Sequence, residues 1–233
     1  MLLILFIWTI SLVSFSWGNT EKTIFLGPPP MNIQPTHPTF NKLYLGTLTP
    51  DSFAIRTYLK AKFPNNESTY GEPSWFILDE LAQGQRYEVR VCWAATQPTL
   101  FRLETYELET VFGSPELTLE LSEYASSRQP GNDNHVAESP QPLESNREAS
   151  ILLLRIFAAA NFYTTNQTLM TDVPPVFVDV ILDPFILNML PKSLLPTVIY
   201  IIAVAIFSWF LGNRISLWTR QLAAEHKQGK KHQ

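Results

Sequence analysis

Few residues in this chain have the types and spacing that chemistry requires. The four histidines, His37, His135, His226 and His232, lie in proline-rich, linker and tail sequence, and no HExxH pattern joins them. Cys92 is the only cysteine, which excludes a disulfide framework and a cysteine-based zinc site. It falls on the polar face of an alternating strand, where a small residue beneath a neighbouring element is its expected role. Asp179 and Asp183 stand four apart in DVILD. In a strand that spacing puts them on one face about 13 Å apart. That is too far to share a divalent ion, so they read as solvated charges at a strand end. No GxSxG, P-loop or GxGxxG occurs. No catalytic residue, metal site or cofactor is therefore expected.

The remaining motifs are ones that other proteins act upon. Asn66-Glu67-Ser68 and Asn166-Gln167-Thr168 are N-glycosylation sequons without proline at the middle position, and both sit in polar, turn-like sequence. Lys230 and Lys231 stand fourth and third from the last residue. On a cytosolic tail two such adjacent ammonium groups form a dilysine retrieval signal, a compact charge pattern for an acidic groove on a coat receptor.

These motifs require an address, and two apolar stretches supply one. Residues 1–17 carry no charge and end in Ser16-Trp17-Gly18, with small residues at −3 and −1 of a cut after Gly18. Residues 1–18 therefore read as a signal peptide. Residues 193–213 also carry no charge, and as a helix they cover about 30 Å, the thickness of a bilayer's hydrocarbon core. Lys192 and Arg214 bracket them, and Tyr200, Trp209 and Trp218 suit headgroup levels. Residues 214–233 hold five cations against Glu225, a charge of +4, which leaves −8 on residues 19–192 out of the total of −4. A basic tail stays cytosolic. The expected topology is single-pass type I in the endoplasmic reticulum membrane, with a luminal body. Ala205, Ser208 and Gly212 share one helix face and could let another helix approach closely. The negative net charge argues against nucleic-acid binding.

The body, residues 19–121 and 151–192, reads as mainly β. The chain has 18 prolines among 233 residues, which suits short strands and turns better than helices. Runs 43–48 and 53–59 read as strands about a Thr49-Pro50-Asp51-Ser52 turn. Tyr87, Val89, Val91 and Trp93 alternate with polar residues, marking a half-buried strand. Leu81, Gly84 and Tyr87 before and within it resemble the tyrosine corner of immunoglobulin-like and fibronectin-like sandwiches. Leu117, Leu119 and Leu121 alternate again. Residues 122–150 have few large apolar side chains and read as a disordered loop or linker. Run 151–163 is a central strand, interrupted by Arg155, and 176–182 is another. The expected fold is an antiparallel β-sandwich followed by one transmembrane helix.

Two segments, NTEKTIFLGPPP (residues 19–30) and DPFILNMLPKSLLPTVIYIIAVAIFSWFLGNRISLWTRQLA (residues 183–223), together with this layout, resemble the fungal accessory, or co-activator, subunit of GPI mannosyltransferase II. The resemblance carries no active-site residue. It implies a non-catalytic partner of the polytopic mannosyltransferase that adds the second mannose during GPI-anchor biosynthesis. Two other readings are a stabilising subunit of GPI mannosyltransferase I and a p24-like ER/Golgi cargo receptor. The cargo receptor would be expected to carry a luminal cysteine pair, and this chain has Cys92 alone.

Overall fold

The computed structural model describes residues 19–32, 43, 45–66, 68–128 and 148–229. The signal-peptide region 1–18 and the lysines 230 and 231 lie outside them. Two compact units divide at Pro184 and Phe185.

The first unit is built on two sheets. One has the order β1 (Thr20–Leu26), β6 (Arg86–Trp93), β10 (Val176–Ile186) and β4 (Ala54–Leu59), antiparallel throughout. Along β10, Val176, Val178, Val180 and Leu182 are buried, and the residues between them face away from the core. Tyr87, Val89 and Val91 do the same on β6. This is the period of two that a strand with one apolar face must show. The second sheet runs β3 (Gly46–Leu48), β5 (Glu72–Leu78), β9 (Leu152–Ala160) and β7 (Thr99–Glu107). Leu154, Ile156, Phe76 and Leu78 from it join Val89, Val178 and Val180 from the first sheet in one apolar core. β2 (Met31–Asn32) and β8 (Glu148–Ala149) form a separate two-stranded antiparallel sheet.

The structure departs from the expected all-antiparallel body in two ways. β3 pairs with β5 in parallel. The outer face of the second sheet is also covered by helices, α1 (Leu108–Gly113) and α2 (Pro115–Ser127). Leu117, Leu119 and Leu121 are thus helical and not an alternating strand. The spacing that decides is Leu117, Leu121 and Ala125, one helix stripe that packs on Trp75, Ile77 and Leu153, while Leu119 is 62% exposed. Pro115 opens the helix where its missing N–H costs nothing. Residues 122–127, expected in a linker, complete this helix, and 129–147 lie outside the described residues. Cover on both faces explains the near-continuous apolar runs of β5 and β9, for neither has a face left for water. An isolated parallel bridge, Lys62 with Ala159, ties the loop after β4 to the end of β9.

The second unit begins with a hairpin. Phe185 and Ile186 pair with Pro191 and Leu190 of β11 (Leu190–Pro191). Leu187 and Asn188 between them have φ of 52° and 58°, as a type I′ turn requires. Asn tolerates this region, but the Cβ and following carbonyl of Leu187 crowd each other at a cost of about 1–2 kcal/mol. We therefore expect Leu187→Asn to strengthen the hairpin by about 1 kcal/mol. Hydrogen exchange of the Met189 amide, which donates to the Ile186 carbonyl at 3.1 Å, should slow by about fivefold. A single 3-10 turn at Lys192–Leu194 then leads into α4 (Leu195–Gly229), so helix continues through much of the expected tail.

Candidate functional site

Arg155 interrupts the most apolar strand of the body, and the sheet register explains how it is tolerated. It stands opposite Trp75 on β5 and opposite Glu104 on β7, so the three side chains form a row across the outer face of the sheet. Its Nη2 donates to Glu104 Oε2 and to the Tyr106 hydroxyl, both at 2.6 Å, and its Nε donates to Glu104 Oε2 at 3.1 Å. The Tyr106 hydroxyl donates in turn to Glu104 at 2.7 Å. From above, α2 lowers Glu120 onto the row. Glu120 accepts from Trp75 Nε1 at 3.0 Å and meets Arg155 Nη1 at 3.4 Å. The guanidinium also lies over Phe157, Tyr106 and Trp75, at 4.6, 5.0 and 5.6 Å from the ring centroids. The Arg155 side chain is 13% exposed. A cation buried this far keeps its charge only where carboxylates and ring faces replace water.

Arg155 favours the charged form of both carboxylates, yet their net shifts are opposite in direction. Burial pushes Glu104 up, but the hydrogen bonds from Arg155 and Tyr106 and the charges of Arg155 and Arg102 outweigh it and hold Glu104 below the usual range. At Glu120 burial prevails over the longer contacts with Arg155 and the Trp75 bond, so its carboxyl is raised. Both effects follow from distance: the near partner wins at Glu104 and desolvation wins at Glu120.

Glu120 also lines a groove of about 650 Å³ between α2 and the starts of β5 and the loop after β4, with Tyr58, Lys60, Glu123, Tyr124 and Arg128 on its walls. Lys62 pairs with Glu72 there, and Arg128 donates to the Tyr124 hydroxyl at 2.8 Å. A second polar cluster lies on the outer face of the first sheet. Glu88 receives Lys22 at 2.9 Å and Arg90 at 3.4 Å, and Arg90 also reaches Asp183 at 3.5 Å. Asp183 is 5% exposed, so it is a buried, paired carboxylate and not the solvated charge expected. Asp179 pairs with Arg56 at 2.7 Å, and hydrogen bonding from Arg56 holds its carboxyl below the ordinary range. The two aspartates therefore serve separate cations. Among the described residues no group of three His, Cys, Asp or Glu side chains could hold a metal ion.

The motif residues lie apart from these clusters. Asn66 is exposed in a turn where the Asn65 side chain accepts from the Ser68 N–H. Asn166 is exposed at the start of α3 (Gln167–Thr171) and caps it, its Oδ1 accepting from the Thr168 N–H at 3.1 Å. Cys92 receives a contact from the Thr20 hydroxyl at 3.6 Å. Ala205, Ser208 and Gly212 lie on α4, exposed, with open space where a Gly212 side chain would be. The Arg155 cluster was not expected; its one signal in the sequence is a lone arginine inside ILLLRIFAAA.

The chain is thus a mainly β protein, and among the described residues one helix, Lys192–Gln221, is long and apolar enough to cross a membrane; its apolar 18-residue stretch has a mean hydropathy of 2.3 and is unburied. No family model, curated protein or solved structure matches it.

Proposed function

We propose that the chain is a non-catalytic subunit of the GPI mannosyltransferase II complex of the endoplasmic reticulum, stabilising or activating the polytopic enzyme that adds the second mannose. The observation that carries this reading is the apolar helix, whose most apolar stretch is unburied among the described residues and which begins inside the segment that resembles the co-activator family. The body is read as an immunoglobulin- or fibronectin-like sandwich. Its support is local: the Tyr87 hydroxyl accepts from the Ala82 N–H at 2.9 Å, the reach of a tyrosine corner, across a turn with Gly84 at φ 72°. The body lies in the lumen, and Lys230 and Lys231 face the coat receptor in the cytosol.

Co-purification of the full chain from mild detergent, with identification of what accompanies it, tests the proposal. Recovery of the polytopic mannosyltransferase is expected, together with accumulation of the one-mannose GPI precursor in cells lacking the chain. Recovery of a different complex, with normal precursor levels, would overturn it. Ser208→Leu with Gly212→Leu adds bulk on one helix face while keeping insertion. It should reduce recovery of the enzyme, whereas Ile202→Leu with Ile206→Leu should not. Equal recovery would place the contact elsewhere than Ala205, Ser208 and Gly212.

The luminal placement has its own test. The cap at Asn166 uses Oδ1, and a glycan joins Nδ2, so both can coexist. Endoglycosidase treatment should increase the protein's mobility, and Asn66→Gln with Asn166→Gln should abolish the change. An unchanged mobility of the unmutated protein would refute use of the sequons.

A further inference from the structure

The β10–β11 hairpin presents large apolar side chains where a turn has no folding use for them. Leu187 occupies a left-handed position that Asn or Gly would fill without strain. Leu187 is 82% exposed and Met189 75%, so burial returns nothing for that strain. Strain kept without a packing reward marks a site whose contact lies outside the chain. Chain continuity says what that contact is. Met189 precedes Lys192, the first residue of the candidate spanning helix, by three residues. An extended chain covers three residues in about 10 Å. The headgroup layer outside the hydrocarbon core is itself about 5–7 Å deep on each side. The tip is therefore tethered within reach of the bilayer surface at which α4 enters.

We infer that Leu187 and Met189 insert into the interfacial layer of that leaflet, a lipid contact separate from the span itself. The inference rests on the reading that α4 crosses a bilayer, and the test separates the two. In a Cys92→Ser background of the full chain, nitroxide labels are placed singly at Leu187→Cys, Met189→Cys, Ile202→Cys on α4 and Leu119→Cys on α2. The proteins are reconstituted into phosphatidylcholine vesicles containing phosphatidylserine. The ratio of oxygen to nickel-chelate accessibility reports depth. The labels at 187 and 189 should give ratios severalfold above that at 119 and below that at 202. Ratios at 187 and 189 equal to that at 119, with a deep label at 202, would overturn the lipid contact and leave the span standing. Labels at 187 and 189 that become immobile and shielded from both reagents only when a partner protein is added would overturn it in favour of a protein groove. A water-exposed label at 202 would overturn the span and the insertion together.

Discussion

Arg155→Ala is expected to cost the β body about 3–5 kcal/mol, the usual penalty for removing one partner from a buried charge cluster. The loss exceeds that of a surface ion pair because Glu104 and Glu120 remain, half-covered and facing each other across the space the guanidinium held. Trp75, Tyr106 and Phe157 lose the cation on their ring faces as well. Arg155→Lys should recover only part, since one ammonium cannot serve Glu104, Tyr106 and Glu120 at their present positions. The measurement is the urea midpoint of the full chain in detergent, followed by pulse proteolysis. An unchanged midpoint in Arg155→Ala would mean that the cluster does not fasten α2 to the sheet.

The pH dependence carries a sign for each acid. Glu104 is lowered in the folded protein, so its contribution is present above the unfolded carboxylate value of about 4.3 and is lost as pH falls through its lower folded value. Glu120 is raised, so the folded state takes up its proton first. Between about 4.3 and that higher folded value, falling pH adds stability. Stability from this pair therefore peaks on the acid side of neutrality, and Glu120→Gln should flatten the acid-side rise.

Gly71→Ala should be nearly as damaging, at about 3–5 kcal/mol, through strain and overlap combined. Gly71 has φ of 84°, and an added Cβ would fall 2.1 Å from the Ala158 carbonyl oxygen. That oxygen accepts from the Lys62 N–H, and both belong to backbone anchored on the central strand β9, so neither can give way. Gly84 shares the positive φ, at 72°, but has nothing within 4 Å of the added carbon. Gly84→Ala should therefore cost only about 1–2 kcal/mol. Similar midpoints for the two variants would contradict the close approach at Gly71.

Strands with one wet face were legible in the sequence. β4, β6 and β10 alternate because water and core select opposite residues. β9 was legible as an apolar run, and its lone arginine was visible but not its purpose. That purpose depends on Glu104, 51 positions away, and on Glu120, 35 away, which only the register and the helix bring together. α2 was misread because Leu117, Leu119 and Leu121 fit a period of two, while Ala125, the residue that completes the helical stripe, is small and easily discounted. The parallel pairing of β3 was hidden for a similar reason, since three residues carry no directional signal. The pairing of the aspartates was beyond local reading, because each depends on a cation from a distant strand.

β10 follows β1, β4 and β6 in the chain by a long interval, yet it lies between β6 and β4. On a translating ribosome roughly 80 residues separate the end of β6 from the start of β10. At about 5–20 residues per second they take roughly 4–16 s to appear. For that interval the nascent chain displays two unpaired strand edges with Val89 and Val91 beside them. That form is the one a chaperone must shield, and slowing elongation between β6 and β10 should raise the aggregated fraction without altering the finished protein.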